Sequence, residues 1–181
     1  EEAKRYGGNF KSIYHLAIYE GSQGYKKWIS IIKKQTSLKS LSFSSKNTIS
    51  LSLLDDAHTF HSVLTRTGKG IQQLRISLER ILSISSRDSY WFSQGMILLR
   101  RLTILHLSLC CTNIEEEGFN FFIGSLRRLS NLESLHIGYP NKVQILRDLE
   151  FVSKATKTLP NFRNLSLDFY YCSYLNSKYL S

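Results

Sequence analysis

The sequence predicts an α/β protein built by repetition, a solenoid with a curved parallel sheet on its concave side and helices on its convex side. Three observations predict it. An apolar-x-x-apolar-x-apolar pattern recurs six times, starting at Ile13, Leu38, Ile71, Leu102, Leu132 and Phe162. The spacing between starts becomes nearly constant from Ile71 onward, a regularity that chance triplets do not produce. Between triplets the apolar spacing changes to i, i+3, i+4, i+7, which is one face of a helix. About six such units are expected to form a single domain over residues 1–181.

Each triplet predicts a short strand, because its fourth and sixth positions alternate to the same side. The strands are expected near 13–18, 38–43, 71–76, 102–107, 132–137 and 162–167. The first linker carries Tyr25, Trp28, Ile29 and Ile32 at helical spacing, and the second carries Phe60, Val63 and Leu64 within 55–65. The third linker is read as a helix over 90–99. The fourth carries the stripe Phe119, Phe122, Ile123 and Leu126, and the fifth Ile145, Leu149 and Val152. Asn113 followed three positions later by Glu116 predicts a capping box for the fourth-linker helix. Pro160 stops the fifth-linker helix, since proline cannot donate the helical hydrogen bond.

Curvature follows from spacing. Strands stack about 4.8 Å apart and helices need about 10 Å, so the sheet must take the inside of the arc. One strand-helix unit cannot bury its apolar face alone, and stacking completes the core.

Composition sets outer bounds. Hydrophobic residues at 42% argue against disorder. No apolar run approaches the roughly 20 residues a membrane helix needs. Cys110, Cys111 and Cys172 are odd in number and two are adjacent, which argues against a disulfide framework and for a reducing compartment. The chain does not begin with Met, and we expect it to be a piece of a longer polypeptide. The charge of +10, from 24 basic and 14 acidic residues, points to acidic partners.

The stretch from Leu102 to Ile137 is the most specific. It carries the strand triplet, then Cys110, Asn113-Ile114 and Gly118, and closes on a Leu-x-x-Leu-x-Asn-Leu lead-in from Leu126 to Leu132. It resembles the ribonuclease-inhibitor-like class of leucine-rich repeats, in the style of ciliate and other protist proteins. The other units are looser: a Ser-rich segment follows the second strand, and Pro140-Asn141 replaces the Cys or Asn after the fifth. The resemblance implies the solenoid fold, a buried role for Cys110 and a habit of binding proteins.

Catalytic motifs fail on spacing. Arg66 to Gly70 lacks the Gly four positions before Gly-Lys, and the Ser or Thr after it, that a phosphate loop needs. His58 and His61 have no nearby Cys or His to complete a zinc site. Neither enzymatic activity, a cofactor, a metal nor a small-molecule substrate is expected.

Two surfaces are candidates for binding. On the concave face the exposed strand positions offer Tyr19, Arg75, His106, His136 and Asp168, with the last four on neighbouring strands. Along one edge, cations precede the strands: Lys33, Lys34, Arg66, Lys69, Arg100, Arg101, Arg127, Arg128, Lys154 and Lys157, ten of the 24 basic residues. Cations at helix C-termini complement the macrodipole, which accounts for their position but not for the large net charge. The expected function is a protein-protein interaction scaffold or adaptor, cytoplasmic or ciliary, whose partner has an acidic surface. A recognition arm of a kinase, ubiquitin-ligase receptor or GTPase regulator is the alternative. Nucleic acid is the lesser candidate, because the edge lacks aromatic residues placed for base stacking.

Overall fold

The computed structural model describes residues 15–19, 38–44, 53–78, 83–110, 112–140 and 145–169. They form an α/β fold with one parallel sheet. Its six strands are β1 (His15–Tyr19), β2 (Ser40–Ser44), β3 (Gln73–Ser77), β4 (Ile104–Ser108), β5 (Ser134–Gly138) and β6 (Asn164–Asp168), and they lie side by side in chain order. Among the described residues four helices intervene: α1 (Leu53–Thr67), α2 (Ser86–Met96), α3 (Glu116–Leu126) and α4 (Ile145–Thr156). A 3-10 turn, Gly68–Gly70, leads from α1 towards β3. Each helix packs on the next, making a second layer in the same order as the strands. Among the described residues no helix is long and apolar enough to cross a membrane.

Every strand begins two positions later than its triplet predicts. The triplet's first residue sits in a turn stacked on its neighbours: the N–H groups of Thr103 and Ile104 both donate to Gln72 O, and those of Gln72 and Gln73 to Lys39 O. That first residue is nevertheless core, with Leu38, Ile71, Leu102 and Leu132 fully buried. The fourth and sixth positions point inward as the alternation requires, and Leu41, Leu74, Leu105 and Leu135 are at most 2% exposed. Leu165 departs from this. It lies on β6, which among the described residues pairs only with β5, and it is 45% exposed.

The helix expectations are corrected in detail. The third-linker helix runs 86–96 rather than 90–99, because Ser85 starts it with a full capping box. The Ser85 hydroxyl receives the Asp88 N–H, while the Asp88 carboxylate accepts from the Ser85 N–H. The capping box expected from Asn113 and Glu116 is absent: α3 has Glu115 at its N-cap, and no side chain caps it. Glu115 instead reaches back one unit, where its carboxylate accepts from the N–H and hydroxyl of Ser86. Those two bonds hold the Glu115 carboxyl below its ordinary range. The first-linker helix, around residues 25–32, lies outside the described residues.

The core runs continuously between the layers. At its centre Phe92 of α2 meets Phe43 at 5.8 Å, Phe60 at 5.1 Å and Phe122 at 6.2 Å between ring centroids. Small residues let the helices close in. A Cβ on Gly95 would stand 3.2 Å from Leu64 and Phe60 of α1, and one on Gly118 would stand 2.6 Å from the Ser89 hydroxyl of α2. Cys110 is a buried thiol beside Ser108, 3.6 Å from its hydroxyl, just past the end of β4.

Candidate functional site

The sheet register builds the first candidate surface. Arg75 of β3 stands opposite His106 of β4, His106 opposite His136 of β5, and His136 opposite Ser166 of β6. The two imidazoles stack with centroids 3.9 Å apart and planes 15° from parallel. His136 Nδ1 lies 3.0 Å from the Ser166 hydroxyl, which orients the ring. Partial burial chiefly lowers the His136 pKa; Arg75 lowers it further, and Asp168 opposes both. A stacked imidazole pair on the strands next to Arg75 is the result.

This face is narrower than the sequence suggests. The last position of each strand, read as open from the alternation, is closed: Ser44, Ser77 and Ser108 are at most 5% exposed and Gly138 is buried. Backbone bonds continue past the strands, from Leu78 N to Ser108 O, Leu109 N to Gly138 O and Tyr139 N to Asp168 O. The short side chains are enclosed in that ladder. Asp168 is half-buried there rather than presented openly. Tyr19 ends β1 opposite Ser44, and its side chain lies outside the described residues.

The second surface lies where helices end and strands begin. Arg66, Lys69, Arg100, Arg101, Arg127, Arg128, Lys154 and Lys157 are all exposed. Lys33 and Lys34 fall outside the described residues. The turns that carry these cations are fixed by their successors. Asn131 donates its side-chain amide to Arg100 O at 2.6 Å, and Asn161 donates to Ser130 O at 3.4 Å. The asparagine of the Leu-x-x-Leu-x-Asn-Leu lead-in therefore holds the basic turn of the preceding unit.

The cations do not form one uniform stripe. An open groove of about 1400 Å³ crosses the C-terminal halves of α1, α2 and α3 and gathers Lys69, Arg100, Arg101 and Arg128. It adds Lys39, which the sequence reading does not select. Arg66, Arg127, Lys154 and Lys157 are not part of its lining, and Lys154 is instead paired with Glu150 at 2.6 Å. No Asp or Glu is among the groove's described lining residues. Apolar side chains line it too: Leu64 from α1, Ile97 and Leu98 after α2, and Phe121 from α3. Those residues are legible in the sequence only as helix positions, since nothing local distinguishes a groove wall from a core stripe.

The rings of His58 and His61 pack on Trp91, at 4.8 and 5.2 Å between centroids. Tyr90 links Trp91 to Phe121, so a band of aromatic rings crosses α1, α2 and α3. Among the described residues no three or more His, Cys, Asp or Glu side chains are grouped to hold a metal ion.

Compared with known proteins, the chain is matched by no family model, and no curated protein matches it.

Proposed function

We propose that this chain is a leucine-rich-repeat solenoid of the ribonuclease-inhibitor-like class, serving as a non-catalytic scaffold or adaptor that docks a protein partner with an acidic surface. The sequence resemblance is supported by six parallel strands in chain order, whose register partners occupy the same place in successive repeats. The curved form then follows from the different widths of strand and helix layers.

One observation carries the binding reading: among the described residues, five cations and no carboxylate line a single groove at the basic edge. Dipole matching explains why each cation sits near a helix end. It also accounts for the acids on the N-terminal turns at Asp88, Glu116 and Asp148, but not for the net charge of +10. Electrostatic complementarity to an acidic partner would speed encounter and fix orientation. The setting expected for such a module is the cytoplasm or a large ciliary assembly.

The test is affinity capture of the intact protein, run in parallel with the charge-reversed variant R100E/R101E/R128E. The wild type is expected to retain acidic proteins that the variant loses, and to release them as salt is raised. Equal retention by both retires the basic edge as the docking surface. Retention dominated by RNA, removed by nuclease, would favour nucleic-acid association instead.

A further inference from the structure

We infer that the basic groove takes an acidic peptide segment of a partner protein that also carries large apolar side chains, an inference that rests on the reading of the basic edge as the docking surface. A simple anion site would need cations alone. This groove alternates chemistry: Lys39, Lys69, Arg100, Arg101 and Arg128 supply charge, while Ile97, Leu98 and Phe121 supply partly open apolar surface. Leu98 is 37% exposed and lines the groove together with Ile97 and Phe121. The volume, about 1400 Å³, exceeds the roughly 300–1,000 Å³ of small-molecule sites and suits a stretch of polypeptide.

Gly124 shapes the α3 side of the groove. It lies inside α3, where glycine disfavours the helix relative to alanine. Gly95 and Gly118 each have a neighbour that excludes a side chain, at 3.2 and 2.6 Å from the position a Cβ would take. Gly124 has nothing within 4 Å. The helices α2 and α3 begin and end at the same places in their repeats, so the equivalent positions in the flanking units are Gln94 and Lys154, both long side chains. Gln94 lines the groove as well, so Gly124 marks the point on α3 where the groove wall carries no side chain.

The geometry assigns the occupant's apolar side chains to the floor beside Gly124 and Phe121, and its carboxylates to Arg100, Arg101 and Arg128. Arginine forks pair carboxylates in two bonds, which would set the peptide's register. An extended segment also leaves its polar backbone within reach of Gln94 and Asn120 on the same wall.

The experiment uses fluorescence anisotropy with two labelled peptides of roughly a dozen residues. One alternates acidic residues with Leu and Phe; the other is polyglutamate of equal length. The alternating peptide is expected to bind at least about tenfold more tightly, the contribution of one or two buried apolar side chains. Gly124→Trp should fill the groove and weaken the alternating peptide by about tenfold, leaving polyglutamate unchanged. Open space around Gly124 means the fold should tolerate it, and circular dichroism checks this. If that variant does not fold, Leu98→Ser, an uncharged change at an exposed position, should produce the same selective loss. R100E/R101E should abolish both peptides. Equal affinity for the two peptides, absence of binding by either, or indifference to both Gly124→Trp and Leu98→Ser overturns the groove inference. The basic-edge reading survives those results if charge reversal still removes polyglutamate, and fails if it does not. Anionic vesicles or a single-stranded RNA outcompeting the alternating peptide would also overturn the assignment to a peptide.

Discussion

His106 and His136 lie face to face, 3.9 Å between ring centroids, on adjacent parallel strands. Strand register alone puts their Cα atoms opposite one another, and the Ser166 hydroxyl then holds the outer ring. Partial burial chiefly holds His136 below its ordinary value of 6.5; Asp168 opposes the shift and Arg75 adds to it. The sign follows: the folded state binds this proton less readily than the unfolded state, so the contribution to stability is complete above 6.5 and is lost as pH falls through the lowered value. NMR titration of the imidazole should show a low midpoint in the wild type. It should move up in Arg75→Gln and further down in Asp168→Asn; unmoved midpoints would mean these groups do not act on the ring.

Helix contact at Gly118 predicts a second outcome. Its missing side chain admits Ser89, and an added methyl would meet that hydroxyl at 2.6 Å and Ile114 at 3.2 Å. Gly118→Ala should destabilise by about 1–3 kcal/mol, as overpacking does. Gly124→Ala, with open space around it, should instead stabilise by about 0.5–1 kcal/mol through helix propensity alone. Urea unfolding of the two variants checks the opposite signs.

Asp148 is 2% exposed, and its Oδ2 has no hydrogen-bond partner among the described residues. Burial first, and the Glu116 carboxylate second, push its pKa up to about 6 against the partial help of Arg147. The folded state thus binds this proton more readily than the unfolded chain, whose value is 3.8. Stability from this group is present below 3.8 and declines as pH rises through about 6. Asp148→Asn should raise the urea midpoint above pH 6 and have little effect below 3.8.

Phe92 joins three aromatic neighbours at the centre of the core and is fully buried. Phe92→Ala should cost about 3–5 kcal/mol by cavity formation. A much smaller loss, measured by thermal or urea unfolding, would show that the surrounding helices collapse into the space.

What could be read in advance was whatever depends on period. The triplet alternation placed Leu74, Leu105 and Leu135 in the core, and the near-constant repeat step placed Arg75, His106 and His136 on neighbouring strands. Period is a local property, so the chain states it position by position. Boundaries were less legible: Asn113 and Glu116 have capping-box spacing, but Glu115 is drawn to Ser86 in the preceding unit. The groove was not legible. Leu64 and Phe121 read as stripe residues, and their role as groove walls is decided by how far apart α1, α2 and α3 stand at their C-terminal ends. The sequence by itself determined the strand order, the inward face and the abundance of positive charge. Tertiary structure decided which cations share a surface with apolar side chains, because that depends on distances between units that no single unit encodes.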